Sequence, residues 1–209
     1  MKKTFIIVSI LFNALVCVAQ VNDDFSDGDL TNNPVWMPDV TGNWMIDNAQ
    51  LRSNSLAANS ALYITTPSAK AINAQWEFWV SLQFNTSSTN YVDVYLMSDQ
   101  SNLLSATNSG YFVRIGGTPD EVSFYKMMSG TATILINGVD GITNSANNTL
   151  RIKVIREGDL WTLERDATGG SSYFLEGSAT DNSFNSSNFF GIRVQQSTAS
   201  FFNRHFFDT

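Results

Sequence analysis

Hydrophobicity in this chain repeats with period two almost from end to end, and no stretch of a dozen residues carries apolar side chains at the 3, 4 and 7 spacing of an amphipathic helix. Successive side chains of a strand point to opposite faces, so such a chain must build sheets with one face in a core. The clearest case is Gln75 to Asn85. There Trp76, Phe78, Val80, Leu82 and Phe84 face one way, and Glu77, Trp79, Ser81, Gln83 and Asn85 the other. The same alternation predicts strands over Tyr91 to Met97, Gly110 to Gly116, Glu121 to Met127, Thr149 to Arg156, Leu160 to Glu164, Ser172 to Glu176 and Asn188 to Gln195. Turn formers stand between them, among them Asn85-Thr86-Ser87-Ser88, Gly116-Gly117, Glu157-Gly158-Asp159 and Gly169-Gly170.

About a dozen short strands at even spacing are too many for an immunoglobulin-sized domain and fit a jelly roll. The fold class expected is therefore all-β, a two-sheet antiparallel jelly-roll sandwich. No linker, charge block or internal repeat divides the chain, so one domain is the simplest organisation.

That domain is preceded by Met1-Lys2-Lys3 and the apolar run Phe5 to Val18, broken only by Ser9 and Asn13 and closing on Ala19. This is the layout of a secretory signal peptide over residues 1–19, which leaves 20–209 as the mature domain, secreted or at the cell surface. The run is shorter than the roughly 20 residues needed to cross a bilayer, so no membrane span is expected. Cys17 follows Val16, where an acylation site wants Gly, Ala or Ser, which argues against a lipid anchor. Cys17 is also the sole cysteine, so packing, with any bound ion, must hold the domain. The formal charge of −7 becomes more negative once Lys2 and Lys3 leave. With no basic stripe, nucleic acid is excluded as a partner class.

Several segments carry a resemblance: Asp23-Asp24-Phe25-Ser26-Asp27-Gly28-Asp29, Asn33-Pro34-Val35-Trp36, Tyr95-Leu96-Met97-Ser98-Asp99, Gly110 to Gly116, Leu160-Trp161-Thr162-Leu163 and Phe189-Phe190-Gly191-Ile192. Together they resemble an N-terminal domain of large secreted proteins of Bacteroidota, similar to concanavalin A-like and laminin G-like jelly rolls. That domain often precedes lamin-tail or other surface modules and a type IX secretion signal. The resemblance implies an accessory module with downstream domains in the same chain. Its members usually finish with Phe-Asp-Asp and an apolar pair, whereas Phe206-Phe207-Asp208-Thr209 stops, which implies a last strand cut short.

The supply of catalytic groups is poor. His205 is the only histidine, which leaves no zinc site built on His and Cys and would put any Ser-His-Asp triad in a Phe-rich terminal strand. It reads as an ordinary edge or sheet residue. Glu164-Arg165-Asp166 is the nearest approach to the alternating carboxylates of concanavalin A-like glycoside hydrolases, but a third carboxylate is missing and Asp166 opens the Gly169-Gly170 turn. Glu77 has no acidic partner on its own strand.

Two other patterns point to binding. Asp24, Asp27 and Asp29 lie close together, and pairing of first and last strands would bring Asp208 to them, a set of hard oxygen ligands suited to a structural Ca²⁺. On the wet faces of the strands stand Trp79, Gln83, Tyr91, Asp93, Tyr95, Arg114, Arg193 and Gln195. Flat rings beside planar polar groups suit sugar rings, so Trp79, Tyr95, Asp93 and Arg114 are the expected contacts for a polysaccharide or surface glycan. The reading favoured is a non-catalytic recognition or adhesion module. The alternatives are a spacer that presents a downstream module and an atypical glycoside hydrolase.

Overall fold

A computed structural model describes residues 21–209; the expected export signal at 1–19 lies outside the described residues. With strands numbered along the chain, one sheet has the order β1 (Met37–Pro38), β4 (Ser60–Pro67), β13 (Phe189–Gln196), β6 (Tyr91–Ser98), β7 (Gly110–Gly116), β8 (Glu121–Met128), β9 (Thr131–Ile136). The other has the order β12 (Phe174–Thr180), β11 (Leu160–Asp166), β10 (Asn148–Glu157), β5 (Ala74–Leu82), β14 (His205–Asp208), β3 (Leu51–Ser53), β2 (Trp44–Ile46). All pairings are antiparallel. The protein is an all-β, two-sheet jelly-roll sandwich, and a single 3₁₀ turn at Ala199–Phe201 is the only helical element among the described residues.

The alternation of Gln75 to Asn85 has the expected consequence. Trp76, Phe78, Val80, Leu82 and Phe84 are buried, and across the sandwich they meet Ile64, Val92, Val94, Val113 and Ile192 of the β6 sheet. An aromatic layer ties the sheets together: Trp161 of β11 stacks on Trp76 at 5.7 Å and meets Tyr111 of β7 at 4.6 Å and Phe124 of β8 at 4.8 Å. Rings at these offsets contribute about 0.5–1.5 kcal/mol per pair beyond the area they bury.

Several elements depart from the sequence reading. The strand expected over Ser172 to Glu176 is displaced to Phe174–Thr180, with a bulge opposite Leu163/Glu164 that shifts its register against β11. Of the two settings expected for His205, sheet or edge, the sheet is the one observed: β14 lies between β5 and β3 and the imidazole is fully buried. The outer faces also belong to different sheets: β5 carries Trp79 on one side of the molecule, while β6 carries Tyr91, Asp93 and Tyr95, β7 Arg114, and β13 Arg193 and Gln195 on the other.

Candidate functional site

The outward positions of β13, β6, β7 and β8 come into lateral register through the ladders Arg193↔Asp93, Asp93↔Arg114 and Arg114↔Ser123, with Gln195↔Tyr91 and Phe112↔Tyr125 on either side. A carboxylate is thus placed between two guanidinium groups. Arg114 donates through Nε to Asp93 Oδ1 at 2.7 Å and through Nη2 to Oδ2 at 3.0 Å; Arg193 Nη1 donates to Oδ2 at 2.7 Å. The Asp93 side chain is fully buried by this double clamp. Burial works against the charge on Arg114, but its bonds to Asp93 and the field of that carboxylate outweigh it and raise the guanidinium pKa; the balance at Arg193 has the same sign.

Aromatic rings surround the clamp. The Arg114 guanidinium lies 4.2 Å from the Tyr91 ring centroid and 5.2 Å from that of Tyr125, and Arg193 lies 5.5 Å from Tyr91. Arg193 also donates to the Tyr91 hydroxyl at 3.3 Å and to Gln195 Oε1 at 3.1 Å. Tyr91, Arg114, Tyr125, Arg193 and Gln195 are half-buried and keep a solvent-facing edge. Among the described residues Arg114 Nη1 donates to no acceptor, so one guanidinium donor remains available to a ligand.

Farther along the same face, Leu103 from the segment between β6 and β7 closes over Tyr95 and Phe112, and all three are buried. Gly191 lies tight against β4 and this lid: a Cβ there would sit 2.7 Å from Ile64 O, 2.7 Å from Thr65 Cγ2 and 3.0 Å from Leu103 Cδ1. Tyr95 is therefore a floor residue, and burial raises its phenol pKa.

Of the four glycan contacts expected from sequence, Asp93, Tyr95 and Arg114 are together, but only Arg114 reaches the surface. Trp79 is on the opposite sheet. The strands flanking β5 are β10 and β14, which put Arg151 and Asp208 beside Trp79, not Tyr95, Asp93 or Arg114. The turn at Gly169 presses on the indole: a Cβ at Gly169 would lie 2.7 Å from Trp79 Nε1. Tyr125 lies in the strand expected over Glu121 to Met127, but only the ladder Phe112↔Tyr125 puts its ring on the same face as Arg114. Tyr91, Arg193 and Gln195 carried the outward parity, and only the ladder shows that they surround Asp93.

The expected calcium ligands do not converge. Asp24 Oδ1 accepts the Ser26 amide at 3.1 Å, Asp27 Oδ1 the Asp29 amide at 3.2 Å, and Asp29 Oδ1 the amides of Thr31 and Asn32 at 2.6 and 2.9 Å. Each side chain caps its own turn, the ordinary use of Asp in such loops. Asp208 lines a cavity together with Asp23 and Phe25, but none of Asp24, Asp27 and Asp29 lines it. Among the described residues no three His, Cys, Asp or Glu side chains are arranged to hold a metal ion. Among the described residues the four aspartates are therefore not brought together as one site.

The carboxylates weighed for hydrolysis are engaged as well. Glu164 pairs with Lys153. Asp166 accepts from Thr168 N at 2.7 Å and Ser172 N at 2.7 Å, which closes the hairpin turn.

No family model matches the chain and no curated protein matches it in sequence. Solved structures share the fold. A carbohydrate-binding module, CBM66 from Bacillus subtilis, aligns with a TM-score of 0.60 at 19% identity over 83% of this chain and 92% of its own. The calcium-bound exoplasmic/lumenal domain of VIP36 aligns with a TM-score of 0.61 at 10% identity over 90% and 86%. A legume lectin-like domain from Entamoeba histolytica aligns with a TM-score of 0.56 at 10% identity over 93% and 95%. The architecture is thus that of lectin-like and carbohydrate-binding-module sandwiches; at these identities the likeness concerns the fold.

Proposed function

We propose that the protein is a non-catalytic glycan-recognition module and that Tyr91, Arg114, Tyr125 and Arg193 contact the sugar, with Asp93 as the positioning residue beneath them. The observation that carries this reading is the clamp of two guanidinium groups on one buried carboxylate, ringed by half-exposed tyrosines. Guanidinium edges and phenol hydroxyls offer a fixed array of donors and acceptors to sugar hydroxyls, and the array is pre-organised because Asp93 immobilises both arginines. The likeness to a carbohydrate-binding module and to lectin-like domains supports the same class.

One observation favours a spacer instead: the Arg114 guanidinium already stacks on Tyr91 and Tyr125, which leaves less ring face for a sugar. Affinity electrophoresis through gels containing individual plant and bacterial polysaccharides separates the two readings. The recognition module is retarded by at least one of them, and Tyr91→Ala abolishes the retardation with an unchanged melting temperature. A chain that no polysaccharide retards is a spacer.

The wider setting is part of the proposal. The apolar run Phe5 to Val18 supports export and removal of residues 1–19, and the motifs quoted above support a place among exported Bacteroidota proteins ahead of further modules. Intact mass of the product secreted from a bacterial host tests the cleavage at Ala19. The likeness to a calcium-bound lectin-like domain supports a structural Ca²⁺ as part of the proposal; a melting temperature indifferent to both calcium and chelator removes it.

A further inference from the structure

The outer face of β13, β6 and β7 carries a charge that its own residues do not balance. Among the described residues Asp93 is the one carboxylate paired with Arg114 or Arg193, so two guanidinium charges, permanent at neutral pH, meet one negative charge. The next outward carboxylate on β8, Glu121, accepts instead from Ser123 Oγ at 2.7 Å. On the other flank Tyr63 pairs with Arg193, and Asp39 beside it accepts from Asn43 Nδ2 at 3.3 Å. The Arg114 and Arg193 side chains keep only 23% and 17% of their surface exposed. A cation so far out of water without a counter-ion is costly, and an anionic ligand relieves that cost.

The geometry of the unused edge selects the anion. Arg114 spends Nε and one N–H of Nη2 on Asp93, while Nη1 donates to no described acceptor and is open to solvent. Asp93 and the rings of Tyr91 and Tyr125, whose centroids lie 4.2 and 5.2 Å from the guanidinium carbon, fix its plane. The remaining N–H groups of Nη1 and Nη2 form a fork that matches the two oxygens of a carboxylate; a neutral hydroxyl fills only part of it.

We infer that the ligand is an acidic glycan and that the carboxylate of one uronic acid residue takes this edge of Arg114. The inference rests on the recognition reading and narrows it. One uncompensated positive charge accepts one acid, and Glu121 and Asp39 on the flanks disfavour a second close by, so the acid sits among neutral sugars. The chain as a whole carries a formal charge of −7, so a polyanion is not held by general attraction.

Affinity electrophoresis of the protein through gels containing glucuronoxylan, hyaluronan or xanthan, each beside its own carboxyl-reduced form, varies the charge and keeps the backbone. At least one acidic form is expected to bind at least about tenfold more tightly than its reduced counterpart, a difference of about 1.4 kcal/mol or more. Free glucuronate is expected to compete the retardation away where glucose at the same concentration does not. Arg114→Lys keeps the charge without the fork and is expected to lose most of the preference for the acidic form. If that variant melts below the parent, the paired gels and the competition carry the test alone. Equal retardation by acidic and reduced forms overturns the inference and leaves the recognition reading standing. Retardation by dextran sulfate as strong as by the uronate glycans also overturns it, since the edge would then be a general anion site. A protein that none of the three acidic glycans retards overturns it too, and only failure with neutral polysaccharides as well removes the recognition reading.

Discussion

His205 shows how a residue that resembles a catalytic group can be wholly structural. Its ring is fully buried and meets Phe84 edge-on at 4.8 Å, and Nδ1 lies 2.8 Å from Ser53 Oγ. Ser53 gives its one proton to the Phe202 carbonyl at 2.8 Å, so it accepts from Nδ1–H, and Nε2 is left without a partner among the described residues. No substrate reaches this pair. Burial draws the imidazole pKa down from 6.5 to about 3. The sign of the pH effect follows: below about 6.5 the unfolded chain binds a proton that the folded chain refuses until about pH 3. The stability from the neutral ring is therefore complete above 6.5 and lost as the pH falls, at about 1.4 kcal/mol per pH unit, or roughly 2 kcal/mol by pH 5. Urea titrations at pH 7, 6 and 5 should show this slope before most carboxylates titrate, and His205→Phe should remove it. A slope unchanged by the substitution would assign the acid sensitivity to other groups.

Among the elements, β10 and β5 carry the features that sequence periodicity could not interpret. Arg156 occupies a core-facing position of β10 and is fully buried, with no carboxylate partner among the described residues. It donates to the carbonyls of Gly158 at 2.9 Å, Ala71 at 2.7 Å and Phe184 at 2.9 Å and to Asn185 Oδ1 at 2.8 Å, and its guanidinium lies 4.7 Å from the Trp161 ring. One side chain thereby fastens two loops to the sandwich. Arg156→Met should cost about 3 kcal/mol or more, because several buried acceptors lose their donor together. Arg156→Lys should recover little of it, since an ammonium cannot reproduce the planar fork; equilibrium denaturation measures both. On β5, Trp79→Ala should destabilise by roughly 2 kcal/mol, less than truncation of a fully buried ring, and leave glycan retention intact. The strands themselves were largely legible: Gly110 to Gly116 coincides with β7, and β5, β6, β8, β10, β11 and β13 lie within a few residues of their expected bounds. The others escaped notice for physical reasons. In β4, Thr65 and Thr66 are both buried, so polarity does not report burial there, and β1, β2 and β3 are too short to establish a period. Outward parity likewise identified Tyr91, Asp93, Tyr95, Arg114 and Arg193, but parity is defined within a strand and cannot say which sheet a strand joins. That is why Trp79 was grouped with residues on the other side of the molecule.

At the scale of the whole molecule, stability depends on ladders closed over long stretches of sequence, and β14 is the critical closure. The sole cysteine, Cys17, lies outside the described residues, so no disulfide can contribute within them, and reductant should leave the melting temperature unchanged. β2 and β3 join the rest of their sheet only through β14, whose Phe206 pairs with Arg52 and whose Phe207 pairs with both Leu51 and Val80. Phe207 is buried and meets Trp44 at 6.1 Å, so its removal uncovers Trp44, Leu51 and Val80 together. Loss of one such buried ring costs about 3–5 kcal/mol, a large share of the 5–15 kcal/mol that holds a typical domain folded. A chain ending at Asn203 loses His205 and Phe207 and also opens the backbone edges of β3 and β5. At roughly 2–4 °C per kcal/mol for a domain of this size, its melting temperature should fall by at least about 10 °C, with β2 and β3 no longer unfolding together with the remainder. Phe206→Ala provides the control, because that side chain is half-buried on the outer face and its loss should cost only about 1 kcal/mol. Calorimetry of the three proteins decides the matter. A shortened chain that melts in one transition within a few degrees of the parent would mean that the Trp161 layer and the β6 sheet carry the fold without β14.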